Sequence, residues 1–451
     1  MLRATVLTAS LIWMFPELAA AQLRVAAFRA DATPALGEPL IWVTPAARVA
    51  DPLWAKGVVL EDRGARYVLC AIDWCGIGGS THRMFREKIA AAAGTEASRV
   101  ALHAVHQHTA PYIDGDGYRV LGTLPSPPLR MSGRFLDQVS GRLAEAVRQA
   151  AARLEPFDRV GLKETRVERV ASARRLWSDD GKLVIRFSTS GQKPEMAAMP
   201  EGPIDPQLRT LTLARGARPL VRLHYYATHP QTFCCEGTVS GDFVSAAREA
   251  VEKTTGVPQI YFTGGAGDVT VGKYNDGSAS ARQELAARLQ SALEAANRPG
   301  RYAEARRVNW RVEPLRLPRR AGVAAPAPRA SGQELYRWAI AAAFAEGAEP
   351  LEAVLVEIGA ARVLHLPGEP MLEFQNYARR LRPKEFVVLA GYGDISPGYL
   401  CTDKAYTEGG YEPSAANAAP GVEARVKEAI GKLLGHSLKA VPPHSLKAVP
   451  P

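Results

Sequence analysis

The sequence predicts an α/β fold, a single large mixed α/β domain spanning residues 22–435. Three observations predict it. Apolar runs of strand length alternate with segments of helical periodicity along the chain. Hydrophobic residues make up 47% of the 451 residues, enough to fill a large core. Several of the predicted strands end in polar, turn-rich segments, and the carboxyl ends of strands are where α/β folds assemble their sites. Length alone would also allow two or three domains.

The elements follow in order. Residues 57–61 and 66–73 read as two strands around a turn at Asp62-Arg63-Gly64. Residues 84–93 read as a helix and 100–103 as a short strand. Residues 135–154 form an amphipathic helix, with apolar positions at helical spacing and charges between them. Further strands are expected at 220–226, 259–262, 353–358, 362–366 and 386–389, and further helices at 243–253, 281–296, 333–344 and 422–434. The Ala/Pro-rich stretch 320–332 reads as a linker or surface loop.

Both ends of the chain read differently from the middle. Arg3, the apolar run 4–15, the break at Pro16-Glu17 and the small residues Ala19-Ala20-Ala21 have the layout of a signal peptide over residues 1–21. The apolar run is too short to span a bilayer. The expectation is an exported protein, periplasmic or secreted. Residues 436–451 are two copies of His-Ser-Leu-Lys-Ala-Val-Pro-Pro, which read as a disordered tail.

Net charge is +10, but the cations are scattered. No nucleic-acid motif is present, so nucleic acid is not an expected partner. A basic surface is compatible with peripheral contact to an anionic membrane. No protein partner is indicated. The five cysteines include no C-x-x-C pair, which argues against a cysteine zinc knuckle. In an oxidising compartment Cys70 with Cys75 is one candidate disulfide.

Candidate chemistry gathers at five strand ends. His106 and His108 lie two apart, so an extended segment would turn both imidazoles the same way. They could share one metal, or one could bind metal while the other moves protons. By itself this spacing fits two ordinary histidines equally well. His103 reads as a core residue. His229 follows a strand and precedes a long polar stretch, 231–242, that reads as a functional loop. Glu369 emerges from an apolar strand through a Pro-Gly turn, costly unless paired or metal-bound. Glu373 reads as lining a helix face. Tyr399, Tyr406 and Tyr411 cluster in one segment; a tyrosine can ligate a metal or donate to an oxyanion. Gly264-Gly265-Ala266-Gly267 lacks the dinucleotide and P-loop signatures, which argues against nucleotide binding.

Taken in order, these segments resemble the catalytic domain of the neutral (non-lysosomal) ceramidase family. The matching motifs are His106–Pro111 (His-x-His-Thr-x-Pro), Ala227–His229, Gly267-Asp268, Pro367–Glu369, Gly398–Thr402 (Gly-Tyr-x-x-Thr) and Tyr411-Glu412. The resemblance covers nearly all of residues 22–435. It implies the neutral ceramidase catalytic fold and a Zn2+ site held by His106, His229, Glu369 and Tyr399. It also implies catalytic roles for His108 beside the reacting carbonyl and for Tyr411 at the oxyanion, with Asp268 and Thr270 at the family's Gly-Asp-x-Ser-Pro-Asn segment. The implied activity is zinc-dependent hydrolysis of the N-acyl bond of a ceramide-like lipid. Three departures are visible. Thr270 stands where the family has serine, and Val271-Gly272 replaces Pro-Asn. Thr109-Ala110-Pro111 replaces Ser-Gly-Pro, and no C-terminal immunoglobulin-like domain follows Tyr411. The departures keep two other readings open. One is a zinc amidase or esterase acting on another acylated small molecule or lipid, such as a glycolipid or N-acyl sugar. The other is a non-catalytic exported relative that binds metal or lipid.

Overall fold

The computed structural model describes residues 22–435 apart from 299, 328 and 348. The leader and tail readings lie outside these residues. The strands fall into three main sheets, of five, five and four strands, and one unit recurs in all three.

In each unit an outer strand pairs antiparallel with a two-stranded hairpin. The first unit has Arg24–Asp31 against the hairpin Trp54–Asp62 and Ala65–Ile72. The second has Arg159–Arg166 against Gln207–Arg215 and Arg218–Tyr226. The third has Val308–Leu315 against Leu351–Ile358 and Ala361–His365. All three hairpins turn over two residues. Gly64, Gly216 and Gly359 take the positive φ that such turns need, at 82°, 59° and 56°. A crossover helix follows in each unit: Gly79–Ala93, Asp242–Thr255 and Leu372–Leu381. The chain then returns as a strand parallel to the second hairpin strand: Val100–Ala104, Gln259–Thr263 and Phe386–Ala390. A further helix closes each unit: Gly133–Ala152, Ala279–Ala295 and Val422–Leu433. This is the mixed α/β domain expected, and among the described residues no separate immunoglobulin-like sandwich stands beside it.

Side-chain alternation explains the packing. In Leu351–Ile358, Val354, Val356 and Ile358 face the large core shared with the first two sheets. Ala353 and Leu355 face a second core with Phe374, Val426 and Ile430 from the third unit's helices. Period-2 alternation puts one strand into both cores.

The units meet at the carboxyl ends of their inner strands. Ala104 donates its amide to Tyr392 O at 2.8 Å, and Gly391 donates to Thr263 O at 2.9 Å. Thr263 Oγ1 donates to Val105 O at 2.6 Å. These bonds run from unit one to three, three to two and two to one, closing a ring. A buried ion pair adds to it: Arg248 reaches Asp73 with two bonds of 2.9 and 2.8 Å, both side chains fully buried. No helix among the described residues is long and apolar enough to cross a membrane.

The expected disulfide is not formed. Cys70 and Cys75 are free buried thiols, because Cys70 is packed inside the strand Ala65–Ile72 while Cys75 lies beyond its end. The disulfide instead joins the neighbours Cys234 and Cys235.

Candidate metal centre

Each unit sends one side chain to the junction: His106 from the first, His229 from the second and Glu369 from the third. Glu369 Oε2 lies 3.2 Å from His106 Nε2 and 3.3 Å from His229 Nε2. All three are buried.

Their hydrogen bonding fixes what faces the centre. His106 Nδ1 is 2.5 Å from Cys75 O. His229 Nδ1 is 2.8 Å from Ala266 O and 3.0 Å from Val269 O. A carbonyl only accepts, so both Nδ1 atoms carry the proton and both Nε2 atoms present lone pairs. The Glu369 carboxylate is also acceptor-only. Three acceptors therefore face one another at near-contact distance, and neither His229 Nε2 nor Glu369 Oε2 has an aligned hydrogen-bond donor. The ion-pair distances and the missing donors agree once a cation is placed between the groups. Two imidazole nitrogens and a carboxylate oxygen are the donor set of a hydrolytic zinc site.

A second ligand group, Cys75 with His106 and His108, is also close enough to hold a metal. It would use His106 Nδ1, 3.8 Å from the Cys75 sulfur, but that nitrogen is committed to Cys75 O. Burial, with Glu369 nearby, also pushes the Cys75 thiol well above its ordinary range. The His106–His229–Glu369 group is the better cation site.

Electrostatics support it. Burial, with Arg174 adding to it, lowers His229 to about 4, so its ring is neutral near pH 7.

Tyr399 reaches the centre through sheet register. The short strand Tyr399–Leu400 runs parallel to Glu369–Pro370, with Tyr399 directly opposite Glu369. Its ring stacks along His229 at 6.4 Å between centroids. Burial raises its phenol well above the ordinary value, with Arg174 opposing. His108 Nε2 is 3.2 Å from His106 Nε2, and burial with His106 and His229 keeps it neutral. The pair converges for a different reason from the one expected. His106 is not extended; it has φ of 79°, and the two rings stand perpendicular at 89°. Tyr411 is half-buried, 5.8 Å from the Tyr399 ring.

His106, His108, Glu369, Tyr399 and Tyr411 all line one cleft of about 830 Å³. Asp268 and Thr270 do not. Asp268 Oδ1 accepts from Leu372 N at 2.7 Å and so caps the helix Leu372–Leu381. Thr270 is buried in a two-residue ladder against Ser172. Their segment contributes backbone: the 266 and 269 carbonyls orient His229. Gly267 is needed there because a Cβ would stand 2.7 Å from Glu369 O. The 231–242 loop lines a different depression, around Asp51 and Arg282. His103 is a core residue, bonded to Gly391 O and His365. A separate cavity of about 450 Å³ beside these two histidines contains none of the three ligands.

Two neighbours had no sequence signal of a role. Arg174 Nη1 donates to Gly267 O and to the Tyr399 hydroxyl, both at 3.0 Å, and its guanidinium carbon lies 5.5 Å from the Tyr411 ring centroid. Tyr392 stacks on His106 at 4.3 Å with φ of 63°.

The architecture thus defines a class: a three-unit α/β domain with a buried two-histidine, one-carboxylate cluster at the junction. Solved structures of ceramidases share its fold. The chain superposes on a ceramidase complexed with C2 with a TM-score of 0.70 at 16% identity, covering 93% of this chain and 76% of that one. It superposes on the neutral ceramidase from Pseudomonas aeruginosa with a TM-score of 0.69 at 17% identity, covering 92% and 74%. The fold is the neutral-ceramidase fold. No protein-family profile and no curated protein matches the sequence.

Proposed function

We propose that the protein is an exported, zinc-dependent hydrolase of an acylated small molecule or lipid, acting on an amide-type bond. The observation that carries this is the set of three buried acceptors, His106 Nε2, His229 Nε2 and Glu369 Oε2, meeting at 3.2 and 3.3 Å, with His229 Nε2 and Glu369 Oε2 lacking any hydrogen-bond donor.

His106, His229 and Glu369 would hold the zinc, with Tyr399 completing the set. Zinc supplies Lewis acidity and a nucleophile available near neutral pH. The remaining steps belong to the chain's own side chains. His108, neutral and at the cleft wall, would take the proton lost by the attacking water, donate to the developing oxyanion and pass that proton to the leaving amine, which cannot depart as an anion. Tyr411 keeps its proton, since burial raises its pKa, and serves as a second oxyanion donor. Arg174 positions the Tyr399 phenol and favours its ionised form. The Cys75, Ala266 and Val269 carbonyls lock both histidine ligands in the Nδ1–H tautomer.

Ceramide is one member of the substrate class. An identity of 16–17% to the ceramidases carries the fold to this chain and not the substrate, which favours the broader reading of another acylated substrate. The test is metal analysis of the purified protein, followed by a panel of ceramides, N-acyl amines and acyl esters before and after chelation. Turnover should disappear with zinc and return on its addition. Full activity in demetallated protein overturns the proposal.

A further inference from the structure

The cleft over the metal centre carries a charge pattern that an uncharged lipid does not explain. Its only carboxylate is Glu369, which belongs to the cation site. The same cleft is lined by two arginines, Arg320 and Arg337.

Arg337 sits on the helix Gly332–Glu346, half-buried, with its guanidinium carbon 5.6 Å from the Trp42 ring centroid. It forms no ion pair with any described residue. The acid one turn before it, Glu334, is engaged by the backbone and hydroxyl of Ser331 in a capping box. Arg320 is oriented by the carbonyls of Pro413 at 2.8 Å and Ala418 at 3.3 Å, and it too has no carboxylate partner among the described residues. Elsewhere the buried Arg248, Arg209 and Arg175 are matched by Asp73, Asp205 and Glu412, while Arg186 and Arg222, which line no cleft over the metal centre, bond backbone carbonyls. With a dication at Glu369, the cleft would hold a clear excess of positive charge. An unmatched guanidinium in a partly desolvated cleft is costly, and its planar fork suits a carboxylate. The cleft also offers apolar wall at Ile41, Trp42, Val323 and Trp338.

We propose that this cleft selects acyl compounds carrying an anionic group, a carboxylate such as that of an N-acyl amino acid, and that Arg337 with Arg320 recognises it. The inference rests on the hydrolase reading for the reaction but on the cleft's own charge for the substrate class. Arg320 and Arg337 are specificity residues; the apolar wall takes the acyl chain.

The test pairs N-octanoylglycine with the similar-sized, uncharged N-octanoylethanolamine at pH 7.5. Calorimetric binding to the full chain should favour the glycine compound by on the order of 10- to 100-fold. The preference should persist after chelation, which separates arginine recognition from carboxylate binding to zinc. R337Q should reduce it several-fold, the R320Q/R337Q pair should bring it close to unity, and R337E should reverse it, with folding checked by circular dichroism. Equal binding of the two compounds by the unmodified protein, or a preference untouched in R337E, overturns the proposal. Turnover of the same pair is read separately. Preference in binding without hydrolysis of either compound removes the hydrolase reading and leaves this one standing. Equal hydrolysis with no binding preference does the reverse.

Discussion

Replacing Glu369 by glutamine should stabilise the metal-free protein and abolish its response to zinc. In the unmodified chain, Oε2 of Glu369 meets two imidazole lone pairs at 3.2 and 3.3 Å. Glutamine keeps the shape but brings an amide donor, so one acceptor–acceptor contact becomes a hydrogen bond worth about 1 kcal/mol. Zinc acts oppositely. At a thousand times its dissociation constant a ligand that binds only the folded state stabilises it by about 4 kcal/mol. Unfolding entropy of about 2.1 cal/mol/K per residue over about 400 residues gives about 0.85 kcal/mol/K, hence a rise in Tm of roughly 5 °C. The variant should lose that rise while its metal-free Tm sits about 1 °C above that of the unmodified protein. Scanning calorimetry with and without zinc, alongside bound-metal analysis, checks both halves. A variant that is less stable without metal and still gains several degrees with zinc refutes the three-acceptor argument.

Among the other predictions, His106→Ala and His229→Ala should each lose zinc and activity together, whereas His108→Ala should keep zinc and lose on the order of 10²- to 10³-fold in kcat; metal content and turnover on the same preparations separate them. Arg174→Ala should weaken zinc affinity by on the order of 10- to 100-fold through Tyr399, read by competition with a chromophoric chelator. Asp73→Ala should cost about 3 kcal/mol because the buried Arg248 loses both bonds to that carboxylate and keeps Glu249 as its only carboxylate contact, through Nε, and adding Arg248→Met should recover much of it in urea unfolding. Burial lowers His224 to about 3. A folded pKa below the unfolded value of about 6.5 means its contribution is complete above pH 6.5 and is lost as pH falls toward 3, on the order of a few kcal/mol. His224→Gln should flatten the dependence of stability on pH across that window, and an unchanged slope counts against it.

Much of the fold was legible because its inner strands and long helices obey simple periods. The helix Gly133–Ala152 and the strands Leu351–Ile358 and Phe386–Ala390 fall within a few residues of where their apolar spacing puts them. The outer strands were missed for a physical reason. Arg159–Arg166, with the sequence RVGLKETR, mixes charge and glycine and has two exposed arginine ends; only pairing with Gln207–Arg215 makes it a strand. Of the helix Leu372–Leu381 only the face at Glu373 was legible and not its bounds, because its start is set by the distant Asp268 rather than by a local cap. At the site, His106, His229 and Glu369 were visible as ligand-type residues at strand ends. The extended geometry inferred for His106 and His108 was not what brings them together, and the arginine that bonds Tyr399 carried no local mark at all.

The repeated unit gives these scattered residues one physical origin. Each unit buries its own sheet but leaves the carboxyl ends of its inner strands with polar backbone to satisfy, and the ring through Ala104–Tyr392, Gly391–Thr263 and Thr263–Val105 does this by pairing the units with one another. A side chain just past each strand end is then carried to the same axis. A metal held there would be bonded to all three units at once, so its binding energy would add to the free energy of closing the ring. A carboxylate can then be buried beside two neutral imidazoles: the cost falls on a junction already fixed by backbone hydrogen bonds, where one cation would offset it for every unit. Distance along the chain is therefore a poor guide to the centre. Position relative to the end of an inner strand is a good one, and it places a ligand in each unit.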